Sequence, residues 1–215
     1  MTPLRRILAF DLKGMWSLVL WVTRRRDVPP GAVAVPYARE YTAPVMMFLF
    51  AVVAEAVATD VLLRALHAPR GLRLALLVVD GYGILIVLAT AASIVTRPHV
   101  ATADELRIRW GVFFDLRIPR AAIASVRLVR NYNERGAVKL DGDRLTVAAA
   151  SQTNVVVDLT GPVTVVRPLG RRGEARTIRF FADRPDAAVA ALLAREEARA
   201  TEGAVARDDP SARTT

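Results

Sequence analysis

The chain has no cysteine and only two histidines among its 215 residues, and these absences exclude several classes of site. Without cysteine there are no disulfides, no thiolate metal sites and no cysteine nucleophile. His67 and His99 stand too far apart in the sequence to have the spacing of paired metal ligands. The sequence also lacks a Walker A loop, a glycine-rich dinucleotide turn and a nucleophile elbow. We therefore predict a protein that is not an enzyme and that has no cofactor and no metal.

Lysine is scarce as well, since all the basic residues are arginines except Lys13 and Lys139, and the formal net charge is +9. The excess is densest in residues 1–40, which carry seven bases and three acids. Bases beside an apolar segment are attracted to anionic lipid headgroups. A basic chain can also bind nucleic acid, but no compact basic recognition helix or RNA-binding aromatic motif is present. We predict membrane lipids as partners and no nucleic acid.

Two long segments are apolar and contain almost no basic residues. Residues 44–66 have no base before Arg64, and residues 74–95 have none. At about 1.5 Å per residue each forms a helix of roughly 33 Å, enough to cross a hydrocarbon core of about 30 Å. A buried hairpin in a soluble core is the alternative, but the segments lack a polar stripe and the remaining chain is too small to wrap both. We predict a multi-pass cell-membrane protein with a transmembrane hairpin over residues 41–97.

The arginines around this hairpin predict its orientation, because basic residues are retained in the cytoplasm. Seven flank the outer ends of the hairpin and three lie in its connection, namely Arg24, Arg25, Arg26, Arg39, Arg97, Arg107 and Arg109 against Arg64, Arg70 and Arg73. Both chain termini are therefore predicted to be cytoplasmic.

The segment before the hairpin has apolar residues at helical spacing over residues 4–22. Asp11 and Lys13 interrupt the run, so it is too short to span a membrane. We predict that residues 1–40 comprise an amphipathic helix in the headgroup region and an extended, proline-stiffened linker. A secretory signal peptide is the alternative, but three consecutive arginines directly after the apolar stretch argue against it.

Three carboxylates, Glu55, Asp60 and Asp80, lie inside the predicted spans. A central acid costs about 2.5–3.5 kcal/mol on insertion scales, so such acids are candidate functional residues. Asp60 and Arg64 are spaced i, i+4 and can pair, while Asp80 lies at a similar depth, so Arg64 or Arg73 can serve either acid. Glu55 has no evident basic partner and is either protonated or faces another subunit. A structural role and a proton or cation site both stay open.

After residue 98 the sequence pattern changes to the alternation of strands, with Leu106, Ile108 and Trp110 on one face. Seven strands are predicted, at residues 106–110, 112–116, 121–129, 145–149, 154–159, 163–166 and 176–181. Turn signals stand at 140–143 and 159–162.

The C-terminal region has a helical pattern, for which Asp183 is the expected N-cap. The final segment, residues 200–215, has no apolar pattern and is predicted to be disordered.

The stretch LRIRWGVFFDLRIPRAAIASVRLV resembles the opening of the bacterial pleckstrin-homology-like domains. In that family an L-x-hydrophobic-x-x-G hairpin leads to an I-P-x-x-x-I-x-x-V strand, and the matching positions are Leu106, Gly111, Ile118, Pro119, Ile123 and Val126. The stretch TIRFFADRPDAAVAALL is similar to the family's final strand, turn and helix. The resemblance implies an α+β chain in which a PH-like seven-stranded barrel, capped by a C-terminal helix, occupies residues 98–199 after a pair of membrane helices.

In lipid-binding pleckstrin-homology domains, bases around the first hairpin hold inositol phosphates. By this resemblance Arg107, Arg109 and Arg117 are candidate headgroup contacts, although alternating arginines are also typical of the solvated face of strands.

The function we predict is a membrane-tethered adaptor or assembly module with a protein partner or a second copy of itself. The alternatives are a lipid-headgroup sensor, or a small transporter subunit or ion sensor that uses Glu55 and Asp80.

Overall fold

The computed structural model describes residues 3–168 and 170–193, with side chains from residue 12 onward. The helices and strands, in chain order, are α1 (Pro3–Val22), β1 (Val33–Val35), α2 (Thr42–Ala65), α3 (Arg70–Thr96), β2 (His99–Ala101), β3 (Glu105–Trp110), β4 (Phe114–Pro119), β5 (Ile123–Asn131), β6 (Val138–Asp141), β7 (Arg144–Val147), β8 (Thr153–Val166), β9 (Arg172–Phe180) and α4 (residues 185–193). The α+β class and the order of two long apolar helices followed by sheets are as predicted. The tail predicted to be disordered lies outside the described residues.

The helices α2 and α3 are each long and apolar enough to cross a membrane. No side chain of α2 is buried, and Met46, Phe48 and Phe50 are 59%, 58% and 73% exposed. A core helix of a soluble protein buries at least one face, and soluble monomers rarely expose a continuous apolar surface of this kind. The exposure of α2 therefore disfavours the soluble-core alternative.

A tight connection joins α2 to α3. His67 has a left-handed backbone with φ of 53°, its N–H donates to the Arg64 carbonyl at 3.0 Å, and the Ala68 N–H donates to the Leu63 carbonyl at 2.9 Å. These two bonds form a Schellman motif, which ends α2, and Pro69 is the N-cap residue before the first residue of α3.

The N-terminal helix α1 packs along α3 and runs in the same direction. A Cβ placed on Gly14 would lie 3.5 Å from that of Ala89, and further along both helices Trp21 lies near Val95, where both line one pocket. Glycine at the contact allows the close approach of the two backbones. The position of this segment in the headgroup region stays a prediction. The contact shows that α1 lies beside α3 as far as the end of α3, where the sheet domain begins.

The nine strands of the described residues form two sheets. The first has the order β1-β2-β3-β4 and the second β5-β8-β9-β7-β6, and all pairs are antiparallel except β7 with β9. The sequence did not predict β1, β2 or β6. β1 comes from the predicted linker and pairs with β2 directly after α3, so the linker contributes an outer strand to the sheet domain. β1 and β2 have three residues each, which is too short to show an alternation in sequence.

The turn predicted at residues 159–162 is wrong. β8 continues through it as one strand and pairs with β9 on both sides, with the register shifted between Asp158 and Val163. Pro162 cannot donate a ladder hydrogen bond, and a strand tolerates proline where an irregularity already interrupts the ladder. The turn predicted at residues 140–143 is confirmed, since Gly142 has φ of 59° between β6 and β7.

One apolar core lies between the two sheets. It includes Ile108 and Ile118 from the first sheet, Val157 and Phe180 from the second, and Leu192 from α4, all nearly inaccessible to solvent. The two sheets thus share a core that the C-terminal helix covers. Among the described residues no strand pairing joins one sheet to the other, so a closed barrel is not observed.

The residue expected to cap α4 has a different role. α4 begins at Pro185, and the carboxylate of Asp183 accepts a hydrogen bond from the Arg39 N–H at 3.2 Å, while its own N–H donates to the Pro36 carbonyl at 2.8 Å. Burial raises the pKa of Asp183. The N-cap prediction is therefore wrong, because the segment before α2 reaches this carboxylate.

Candidate functional site

A buried polar joint connects the end of α3 to both sheets, and His99 is its central residue. The His99 side chain is fully enclosed, its Nδ1 accepts from the Arg109 N–H at 3.0 Å, and its Nε2 lies 3.1 Å from the Phe181 carbonyl. A carbonyl can only accept, so Nε2 carries the proton and the ring is neutral. Burial is the main reason that the pKa of His99 falls to about 3.

Aromatic side chains from the segment before α2 complete the joint. The ring of Tyr37 stacks on His99 with 4.4 Å between centroids, and its hydroxyl accepts from the Gly111 N–H at 2.7 Å. Tyr41 accepts from the Trp110 indole at 2.9 Å and donates to the Ala148 carbonyl at 2.8 Å. Burial raises the pKa of Tyr37, so its hydroxyl acts as a neutral hydrogen-bonding group. The linker, the β3–β4 hairpin and the second sheet are thereby held together.

Arg109 is the most unusual member of the joint, because its side chain is only 2% exposed. Its Nη1 donates to the Asp27 carbonyl at 2.7 Å and lies 3.6 Å from the Asp27 carboxylate, which is also 4.0 Å from Arg97. Nε and Nη2 of Arg109 and Nε of Arg97 are buried without a hydrogen-bond partner. One partly exposed carboxylate thus serves two arginines that retain unsatisfied donors.

The other two arginines predicted to contact headgroups form ion pairs on the β3–β4 hairpin. Arg107 makes a two-pronged ion pair with Asp115, and Arg117 lies 3.7 Å from Glu105. Burial raises the pKa of Asp115, but the hydrogen bond and charge of Arg107 outweigh it and hold the pKa below its usual value. Arg109 is buried, the Arg107 side chain is 20% exposed and that of Arg117 is 62% exposed. A phosphate there would compete with carboxylates already in place.

The three carboxylates of the predicted spans have different surroundings. Asp60 accepts from both Arg64, at 2.6 Å, and Arg73, at 2.9 Å. Glu55 is exposed and Asp80 is half-buried, and neither forms an ion pair within residues 3–168 and 170–193. Asp60 is therefore the acid that links the two helices, at the end that carries their connection.

We expect Asp60→Asn to lower the thermal unfolding temperature more than Asp80→Asn does, because the change removes the carboxylate shared by Arg64 and Arg73. Thermal unfolding in detergent micelles measures the effect. Asp80→Asn is the matched control, since it removes an intramembrane charge that has no partner in the described residues. An equal loss in both variants would show that the ion pairs do not stabilise the hairpin.

A basic pocket opens beside the joint, where α1 and α3 end. It measures about 470 Å³ and is lined by Trp21, Val22, Arg24, Arg25, Arg26, Val95 and Thr96. The three arginines are exposed, and none forms a salt bridge within the described part of the chain. The N–H of Asp27 donates to the Thr96 carbonyl at 2.9 Å and fastens the arginine segment to the end of α3.

A second, smaller depression lies at the end of β5. It measures about 200 Å³ and includes Arg130, Tyr132, Asn154 and Phe181 in its lining. β5 is an edge of the five-stranded sheet, and Leu128, Val129 and Tyr132 are exposed along it and just beyond it.

Comparison with known proteins gave no match to a family model, to a curated protein or to a solved structure. Within the described residues no group of three or more histidine or acidic side chains is arranged to hold a metal ion. The candidate sites are therefore the joint, the basic pocket and the β5 edge.

Proposed function

We propose that the protein is a non-enzymatic scaffold, tethered to the cell membrane by α2 and α3, that presents a PH-like domain to a partner at the cytoplasmic surface. The buried joint is the observation that carries the proposal. His99 follows α3 by three residues and binds backbone groups of both β3 and the segment after β9. A domain attached in this way has a fixed orientation to the membrane helices, which suits a role in positioning.

The PH-like assignment is supported by the arrangement of the sheet domain. Two sheets enclose one core, and a helix follows the last strand and contributes Ala188 and Leu192 to that core. The hairpin that carries the resemblance turns at Gly111, which has the left-handed φ of 50° that favours glycine.

The β5 edge is the surface we assign to the partner. An unpaired edge strand can accept an extended segment of another chain by adding a strand to the sheet. Leu128, Val129 and Tyr132 offer apolar contacts, while exposed Arg130 and Arg135 form no salt bridge within the described residues. The surface therefore suits an acidic extended segment of a partner protein.

Site-specific photo-crosslinking in membranes of the producing cell tests this assignment. A photoreactive residue at position 128 should give one discrete adduct, and Arg130→Glu with Arg135→Glu should reduce its yield about tenfold, because the reversed charges repel an acidic segment. The matched controls are a photoreactive residue at exposed position 166 and the charge reversals Arg171→Glu with Arg172→Glu.

Two results would contradict the proposal. An adduct unaffected by charge reversal at positions 130 and 135 would exclude an acidic segment on this edge. An adduct of twice the chain's mass would identify a second copy of the protein in place of a different partner.

A further inference from the structure

We propose that the basic pocket between the ends of α1 and α3 binds the phosphate of an anionic phospholipid headgroup through Arg24, Arg25 and Arg26. The inference shares with the proposed function only the placement of α3 in a membrane, and it assigns a ligand site that the scaffold role does not require.

The position of the pocket suits a lipid. Because α3 has the length and composition of a membrane span, its last turn, where Val95 and Thr96 line the pocket, lies at the level of the headgroups. Trp21 lines the same pocket, and tryptophan is enriched at that level of membrane proteins. The lining combines apolar side chains, which suit the upper acyl chain, with guanidinium groups for the phosphate.

The three arginines are not needed as helix caps. Bases near a helix C-terminus can bind its last carbonyls, but backbone donors already satisfy the carbonyls of Val19, Leu20 and Trp21 at the end of α1. The Arg25 N–H donates to the Leu20 carbonyl at 2.8 Å, and the Arg24 N–H donates to the Trp21 carbonyl at 3.0 Å. The guanidinium groups therefore remain available for an external acceptor.

The backbone of Arg24 supplies an independent observation. Arg24 occupies the left-handed position of a Schellman motif, with φ of 54°, where glycine is the common residue. A non-glycine residue in this region carries strain, and strain of this kind clusters at functional sites. Arginine therefore stands at a position where the backbone alone would favour glycine, as histidine does at residue 67.

The electrostatics beside the pocket favour an anion as well. Arg97 follows the lining residue Thr96, and Asp27 follows Arg26. Arg97 and Arg109 share Asp27 and retain buried donors without partners. The carboxylate that follows these arginines in the chain thus already contacts two other arginines, and Arg24, Arg25 and Arg26 form no salt bridge within the described residues.

The test uses the full chain in nanodiscs of equal phosphatidylglycerol and phosphatidylcholine, followed by native mass spectrometry of the lipids retained after release. We expect wild-type protein to retain phosphatidylglycerol preferentially, and the triple change Arg24→Gln, Arg25→Gln, Arg26→Gln to reduce that preference by about tenfold or more. The matched control removes the same charge from the β9 region by Arg171→Gln, Arg172→Gln and Arg176→Gln, and should retain the wild-type preference.

Arg24→Gly is a second variant for the same measurement, for use if the triple variant folds poorly. It removes one charge and relieves the left-handed strain, so this variant should unfold at the same or a higher temperature while retaining less phosphatidylglycerol. An unchanged lipid preference in the triple variant and in Arg24→Gly would overturn the inference. Displacement of the retained lipid by excess inorganic phosphate would also overturn it, because the site would then bind soluble phosphate.

The failure of this inference is distinguishable from failure of the proposed function. Absence of the position-128 adduct in the chain without charge reversal, with normal lipid selectivity, would count against the scaffold role alone. Unchanged selectivity in the arginine variants with the adduct intact would count against the headgroup site alone.

Discussion

His99→Asn should lower the free energy of unfolding by about 3–5 kcal/mol, while His67→Asn should change it by less than about 1 kcal/mol. The imidazole of His99 satisfies two buried backbone groups at once, the N–H of Arg109 and the carbonyl of Phe181. Asparagine is too short to reach both, so at least one group is left buried and unpaired, and the stacking on Tyr37 is lost. Thermal or denaturant unfolding in detergent micelles gives the comparison.

We also expect the free energy of unfolding to depend on pH through His99. The folded-state pKa of His99 lies near 3, below its ordinary value of 6.5, because burial disfavours the charged ring. As the pH falls from 6.5 towards 3, the unfolded chain takes up a proton that the folded chain does not, so stability is lost by up to about 1.4 kcal/mol per pH unit. Above pH 6.5 this contribution is fully present.

His99→Asn should flatten that pH dependence relative to wild type, and His67→Asn is the matched control because its side chain is exposed in the connection between α2 and α3. A wild-type slope in His99→Asn would mean that the acid sensitivity comes from the carboxylates instead.

Gly111→Ala is expected to cost about 2–4 kcal/mol, because it adds two penalties at the contact between the hairpin and α3. Gly111 has φ of 50°, and a Cβ there would lie 2.5 Å from the hydroxyl oxygen of buried Ser93 on α3. That hydroxyl donates to the Thr90 carbonyl at 2.8 Å, so its rotation away from the new methyl group breaks a hydrogen bond.

Two further variants separate these penalties. Gly142→Ala adds a methyl group at a φ of 59° with no atom within 4 Å, so it carries the backbone cost of about 1–2 kcal/mol alone. Adding Ser93→Ala to Gly111→Ala removes the hydroxyl and should recover about 1–2 kcal/mol. If the double variant is no more stable than Gly111→Ala, the hairpin and α3 do not meet as closely as the structure places them.

Part of the joint could be predicted from sequence and part could not. The position of Gly111 at a hairpin turn is a local signal, and the alternation before it identifies β3 correctly. The same alternation places Arg107 and Arg109 on one face, but it contains nothing about what covers that face. The end of α3 and the segment around Asp27 bury Arg109, while Arg107 keeps solvent access. Nothing in the sequence indicated the role of His99 except its position directly after an apolar segment.

The sequence by itself determined the two apolar helices, most of the strands and the turns at Gly111 and Gly142. Each of these depends on the spacing or backbone preference of residues close together in the chain. Only the tertiary structure decided that the linker supplies β1, that β8 continues through residues 159–162, that Asp183 binds the segment before α2, and that Arg24, Arg25 and Arg26 stand beside the end of α3. These features join segments that lie tens of residues apart in the chain. The packing of the whole core decides which surfaces meet, and no local sequence pattern contains that information.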